Sequence, residues 1–395
     1  MAFPRPRPFS KGAAPRARLS AESTLERRYI ARQPDPQLVL IISALLIFGL
    51  VFMFSSSAFL GEQTHGDPLY FTKKQLVFTF GGLMAMLWLA KNYQKLYKLN
   101  PSVYLVSSWV LLAVALVSPG IANVHRWIRL GPIQIQPSEF AKIAVIIYLA
   151  REIQDYRGQL AKYGSFPWQP FGMVLATVVL IALGKDLGTP FMIMLVCFGI
   201  LAVAGVRLMF LLGGAFLMIP AVIYEIMKHP YRIQRITTFM SPEADPGGKG
   251  YQLWNSFMAV GSGGWFGTGM WASKMKLLYL PAPHTDFIFS VMAEELGLIG
   301  SALVIGMFVY LLLRGLSVAR KADTLANSLT ALGVTLMLCL QAFYNMAMAI
   351  GLVPTKGLPL PFFSYGGSSM LSTLIMAGIL INISRMRSSG RAGPS

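Results

Sequence analysis

The sequence predicts an all-α polytopic membrane protein of about ten transmembrane helices, with a long extracytoplasmic loop between the seventh and the eighth. Three observations carry that prediction. Hydrophobic residues make up 55% of the 395 positions and charged residues only 13%. Apolar runs recur from Gln37 almost to the C-terminus. Most of them approach the roughly 20 residues that an α-helix needs to cross about 30 Å of hydrocarbon.

The chain opens with a Pro- and Arg-rich segment, 1–36, carrying Arg5, Arg7, Lys11, Arg16, Arg18, Arg27, Arg28 and Arg32. Such a composition buries little apolar surface, so disorder is expected, and its cations place it in the cytoplasm by the positive-inside rule. The first apolar run starts too late and runs too long for a cleaved leader, so it is expected to be retained. Spans are predicted at 37–58, 74–90, 102–118, 137–151, 169–184, 188–205, 207–227, 285–313, 326–350 and 367–384. Little more than Val206 and Arg207 separates the sixth from the seventh, so a hairpin and a single broken helix both fit there. The domain is thus 37–384, with 228–283 as its large outer loop and 385–395 as a short cytoplasmic tail.

A net charge of +18 would suit nucleic acid. In a ten-span arrangement, however, the tail, "KNYQKLYK", the 151–162 loop, "RGLSVARKAD" and "RMRSSGR" all face the cytoplasm, and topology explains them. No recognition motif accompanies the charge, so nucleic acid is not expected as a partner. Cys197 and Cys339 fall inside apolar spans, which argues against a disulfide or a cysteine metal site.

Other cations break the rule and fall on the outer side. These are Arg126 and Arg129 in "NVHRWIRLG", Lys185 in "GKDLG", Arg232, Arg235, Lys249, Lys274 and Lys276 in 228–283, and Lys356 in "VPTKGLP". Two readings stand: recognition of an anionic ligand such as a pyrophosphate group, and attraction to anionic lipid headgroups. Within the loop, "YQLWNSFMAVGSGGWFGTGMW" predicts a short helix and a turn. It would cover an outward-facing site or rest on the headgroups.

Ionisable residues inside spans point to function, although structural ion pairs occupy such positions too. Glu139 and Lys142 are three residues apart in "QPSEFAKIAVIIYLARE", on one helix face and able to pair. Asp186 in "GKDLGTP" stands where it can cap the next helix. "LPAPHTDFIFSVMAEELG" sets His284, Thr285 and Asp286 at the outer end of the eighth helix, where Thr285 or Asp286 can cap. Asp286 and Glu294 differ by about 80° around an ideal helix, so both can face one cavity, but about 12 Å of rise separates them. That is too far for two carboxylates acting on one bond. Asp286 is therefore the lone candidate general base, ionised near the water boundary, with Glu294 orienting lysines or supporting packing and Glu295 pointing elsewhere. In "NMAMAIGLVPTKGLPLPFFSYGGSSM", Pro354, Pro359 and Pro361 forbid a regular helix. Gly366 and Gly367 there offer a phosphate-binding nest or close helix packing.

Taken in order, "RWIRLG…IQPSEFAK", "DLGT", "GKGYQ", "GSGGWFGTG", "LPAPHTDFIFSVMAEELG" and "NMAMAIGLVPTKGLPLPFFSYGGSS" resemble the signature stretches of the SEDS family (shape, elongation, division and sporulation). The resemblance covers nearly all of the chain after the tail, and the "PTKG" step at 354–357 resembles division-type more than elongation-type members. It implies a SEDS-type ten-helix fold with both termini cytoplasmic, in the bacterial inner membrane at the division septum. It also implies a peptidoglycan glycosyltransferase that polymerises lipid II into β-1,4-linked glycan, with Asp286 catalytic and undecaprenyl diphosphate as leaving group. Lys356 matches a substrate-binding lysine, and Arg126, Trp127, Glu139, Lys142, Lys185, Asp186, His284, Ser364, Gly366 and Gly367 stand in matching stretches as further substrate-binding candidates. Ala282, Asn255 and His125 depart from the usual pattern. No metal-ligand cluster is evident, and a divalent cation, magnesium or manganese, stays open as a helper for the diphosphate. The implied partners are a class B penicillin-binding protein transpeptidase, divisome regulators and membrane lipids. A lipid II flippase and a non-catalytic divisome scaffold are the competing readings, and the effect of Asp286→Ala separates them.

Overall fold

The computed structural model describes residues 33–386 apart from 119–124, 132, 164–165, 229, 246, 249, 278 and 282. Expectations placed on the basic tail before residue 33, on Lys249, on Ala282 and on the end of the chain beyond 386 lie outside the described residues.

Helix α1 (Pro36–His65) starts where the Asp35 carboxylate accepts the backbone N–H groups of Gln37 and Leu38, and it stops at Gly66, whose φ of 67° lies in the left-handed region. Helices α2 (Tyr70–Tyr97) and α3 (Pro101–Val117) follow, bent by 116° at the short break between them. A small antiparallel hairpin, β1 (Ile128–Leu130) and β2 (Ile133–Ile135), pairs Arg129 with Gln134. Next come α4 (Pro137–Tyr163), α5 (Trp168–Leu183), α6 (Gly188–Val203) and α7 (Leu208–Met227). The segment expected as a long loop contains α8 (Pro230–Met240), a 3₁₀ turn (Pro242–Ala244) and α9 (Tyr251–Ser262), the last within the aromatic stretch where a short helix is predicted. Helices α10 (Ile288–Lys321), α11 (Leu325–Ala349) and α12 (Gly367–Ser384) complete the described chain.

Each predicted apolar stretch is covered by a helix, but the helices differ in their capacity to span. Among the described residues five helices, α1, α7, α10, α11 and α12, are long and apolar enough to cross a bilayer, or six if the bent α2–α3 pair counts as one span. Helices α5 and α6 have 16 residues each, about 24 Å of helix, which is short of a 30 Å core. The result is a multi-pass membrane protein, helical apart from the small β1–β2 hairpin. Helices α6 and α7 are distinct, with Gly205 at φ 94° turning the chain between them, which decides against one continuous helix.

Helices α11 and α12 are buried over most of their length, with α1, α4, α6 and α10 packed around them. Helix α2 lies along α12. Small residues permit that approach: a Cβ on Gly378 would stand 2.7 Å from the carbonyl oxygen of Met86, a backbone atom that cannot step aside. At the far end, Arg314 of α10 ion-pairs with Asp35, whose own N–H donates to Ser384 Oγ of α12 at 3.1 Å. This contact ties three helices together. Gly378→Val is expected to push α2 from α12 and cost about 1–3 kcal/mol, read as a lower thermal midpoint of the detergent-solubilised protein.

Candidate functional site

Asp286 lies in the turn ahead of α10, and Phe287 rather than Thr285 or Asp286 occupies the capping position. The helix thus starts one residue beyond the two expected caps, and the Phe287 side chain makes no capping bond. The loop between α11 and α12 supports the backbone around Asp286 instead. Three consecutive carbonyls accept donors from α11 and that loop: His284 O from Tyr365 N–H, Thr285 O from Ser364 Oγ, and Asp286 O from Asn345 Nδ2 at 2.9 Å. Asn345 also donates to Leu358 O at 2.8 Å. Prolines that forbid a helix in this loop leave its polar groups free to make these bonds.

The Asp286 side chain is half-buried, and among the described residues no donor engages its carboxylate oxygens. Gly357, itself exposed, flanks it: a Cβ at 357 would stand 3.1 Å from Asp286 Oδ2. Burial pushes the carboxyl up to about 6, against the opposing pull of the Arg235 and Arg126 guanidinium groups. Burial likewise lowers the Lys356 ammonium to about 8, with Asp186 opposing and Arg232, Arg126 and Arg235 adding to the drop. Two groups of opposite charge type are thus poised on either side of neutrality, as proton transfer and anion binding require.

Surrounding groups fix these cations. Arg126 donates to Lys185 O at 2.8 Å, and Lys185 itself sits at φ 64°. Arg235 Nη1 donates to Thr355 O at 3.2 Å, one residue before Lys356. Lys356 runs past the start of α6, its Cδ 3.4 Å from where a Cβ on Gly188 would lie. Asp186 caps that helix, accepting Gly188 N–H at 3.0 Å and Thr189 Oγ1 at 2.8 Å, so both of its oxygens are engaged. His284 is buried between Phe71 and Tyr365, and desolvation drops its imidazole to about 4, which keeps it neutral. Trp127 is half-buried where the chain enters β1.

A family described as Cell cycle protein, grouping FtsW, RodA and SpoVE, matches residues 36–389. The chain belongs to this family. It is a SEDS protein of the FtsW type: a protein of Trichlorobacter lovleyi named probable peptidoglycan glycosyltransferase FtsW is 40% identical over 91% of this chain and 95% of its own length. Stage V sporulation protein E of Bacillus subtilis is 36% identical over 89% and 97%. Among solved structures, a peptidoglycan synthase complex that coordinates polymerization and crosslinking superposes with a TM-score of 0.72 at 29% identity, covering 89% of this chain and 98% of that one. Rod shape determining protein RodA of Thermus thermophilus superposes at 0.64 with 27% identity, over 90% and 97%.

The other candidates in this SEDS chain separate by location. Asp286, Lys356, Arg126, Lys185, Asp186, His284 and Ser364 come together, the last through the backbone of Thr285. Glu139 and Lys142 form a buried ion pair at 2.9 Å instead, completed by Gln341 Oε1 on Lys142 at 2.9 Å and by Ser372 Oγ on Glu139 at 2.6 Å. At Gly366 and Gly367 the close-contact reading is favoured over the phosphate nest: Gly366 N–H is engaged by Gln75 Oε1 at 3.1 Å, and a Cβ on Gly367 would stand 2.6 Å from the Phe78 ring of α2. Glu294 faces the 273–275 turn and not the Asp286 opening, because its oxygens accept Lys274 and Met275 N–H groups.

Sequence reasoning missed Asn345, Gln75 and Gly357 as site residues, and Arg235, named there only within the outer cationic set, joins them. The first two are polar residues inside apolar spans, a signal that was there to use. Among the described residues no three His, Cys, Asp or Glu side chains converge on a common point. Lys142→Ala is expected to cost about 3–5 kcal/mol by leaving Glu139 buried and unpaired, and Lys142→Met with Glu139→Gln to recover most of it, as thermal denaturation would show.

Proposed function

We infer that this chain is a peptidoglycan glycosyltransferase of septal cell-wall synthesis, polymerising lipid II with Asp286 as general base. One observation carries the reading: a carboxylate raised to about 6 by burial, engaged by no described donor, facing the Arg126 and Arg235 guanidinium groups, which their own hydrogen bonds hold in place. Family membership and relatives named probable peptidoglycan glycosyltransferase supply the substrate class.

In this proposal Asp286 takes the proton from the 4-hydroxyl of the acceptor N-acetylglucosamine as that oxygen attacks C1 of the donor N-acetylmuramic acid. The C1–O bond to undecaprenyl diphosphate breaks, and the α-linked donor becomes a β-1,4 linkage, an inverting displacement. Negative charge grows on the departing diphosphate. Lys356 and Arg126 meet it, with Lys185 and Arg235 beside them; preorganised cations of this kind lower the barrier most where water is excluded. A magnesium or manganese ion would share this task, and a chelator titration of the polymerisation assay tests for that requirement.

The same reading assigns ten membrane crossings, both termini in the cytoplasm, residues 228–283 on the outer side of the inner membrane, and residence at the septum. Its partners are a class B penicillin-binding protein transpeptidase, divisome regulators and the surrounding lipids. The solved peptidoglycan synthase complex supports the first of these.

Purified protein and labelled lipid II test the chemistry. Asp286→Asn is expected to lower the polymerisation rate by about 10²–10⁴, the usual worth of a positioned base. A variant that still makes glycan at the parental rate would remove Asp286 from the mechanism, and a preparation that moves lipid across vesicles without making glycan would favour a flippase.

The pH profile follows from the two charges. Asp286 works unprotonated, so the rate rises as pH climbs through about 6. Lys356 works protonated, so it falls as pH passes about 8. Lys356→Arg, charged at every accessible pH, is expected to keep the acid limb and lose the alkaline one.

A further inference from the structure

Helix α10 is broken in its third turn. Gly297 has φ 67° and ψ −165°, a conformation open essentially to glycine alone. The N–H groups that would close the helix there turn outward: Leu298 N–H donates to Gly264 O at 2.8 Å and Ile299 N–H to Trp265 O at 3.2 Å. The carbonyls they abandon are taken up in exchange, Glu294 O by Thr268 N–H at 2.9 Å and Glu295 O by Gly269 N–H at 3.1 Å. The turn after α9 is thus stitched into the gap, satisfying backbone that apolar surroundings cannot. A Cβ on Gly267 would stand 2.1 Å from Glu295 O, so the fit admits no side chain at that point.

The two glutamates at the break continue the stitching with their side chains. Glu294 accepts Ser273 Oγ and the N–H groups of Lys274 and Met275, the first of these N–H bonds at 2.8 Å. Glu295 pairs with Lys276 at 2.7 Å and accepts Ser55 Oγ of α1. Lys276 Nζ also donates to Trp271 O at 2.8 Å. Trp271 holds φ 70°, costly for a bulky residue, and needs such a fixed partner. Glu294, Glu295 and Lys276 are all buried, at 2%, 1% and 8% exposure. Beyond them the chain reaches Leu280, which packs with Phe287, Val291 and Met348 on either side of the turn carrying Asp286.

We propose that Lys276 and Glu295, with Glu294, are positioning residues for the transfer reaction: they clamp the strap 264–277 to the broken helix and thereby fix the turn that presents Asp286. The proposal rests on the glycosyltransferase reading. Neither charged group touches the reacting atoms. A displacement of about 1 Å at a base can cost on the order of a hundredfold in rate, so loosening the clamp lowers kcat while leaving substrate affinity in place.

The test uses the full-length protein in proteoliposomes with labelled lipid II. Lys276→Met leaves Glu295 buried and unpaired and is at risk of misfolding, so the deciding variant is Lys276→Met with Glu295→Gln, which removes both charges together. The double variant is expected to show kcat reduced by about tenfold to a hundredfold with KM within about twofold. A Leu280→Cys reporter, at 1% exposure, is expected to gain labelling by a membrane-impermeant maleimide in that background; the native Cys197 and Cys339 are buried. Parental kcat in the double variant, or a fall in kcat with Leu280→Cys labelling unchanged, overturns the clamp. A parental protein that forms no glycan overturns the glycosyltransferase reading first, and this proposal with it.

Discussion

An ionised side chain carried into an apolar bundle costs several kcal/mol unless a partner of opposite charge and further hydrogen bonds meet it there. That constraint organises the molecule. Glu139 and Lys142 satisfy each other within α4 while recruiting Gln341 from α11 and Ser372 from α12. Glu295 and Lys276 join α10 to the strap, with Ser55 of α1 as third member. Asp35 and Arg314 join the start of α1 to α10. Each of these three pairs therefore acts as a fastening between elements distant in sequence.

Asp286 departs from that pattern. Its backbone is held by the neighbouring loop through three adjacent carbonyls, while its carboxylate is left to the field of guanidinium groups that bond elsewhere. Incomplete compensation raises its proton affinity toward neutrality, and the same desolvation lowers that of Lys356. The exposed Gly357 beside the carboxylate leaves the approach open, since a side chain there would crowd Oδ2. A rigid main chain with an uncommitted charge is what a base needs to meet a substrate hydroxyl at fixed geometry.

Much of the fold was legible because hydropathy reports burial in lipid directly: every apolar stretch became a helix, and the aromatic run after Gly250 became the short helix α9. The 3-residue spacing of Glu139 and Lys142 announced their pairing, and the place of Asp186 ahead of an apolar run announced its capping. Gly366 and Gly367 were less legible. A glycine pair in sequence fits a nest as well as a close contact, and only the presence of Gln75 and Phe78 on α2 selects between them. The break in α10 was hidden for a similar reason. Gly297 lies within a stretch that hydropathy reads as one span, and the hydrogen bonds that stabilise the interruption come from residues about thirty positions earlier.

The sequence by itself determined that the chain is helical and membrane-embedded, which family it belongs to, and that Asp286 and Lys356 are the charged groups most in need of explanation. Those properties are local: they depend on residue type, period and order along the chain. The tertiary structure alone decided which cations stand near Asp286, which carboxylates are already engaged, and how a strap fits into a broken helix. Electrostatic influence falls with distance through space and with access to water, and neither quantity is written in the spacing of residues along the chain.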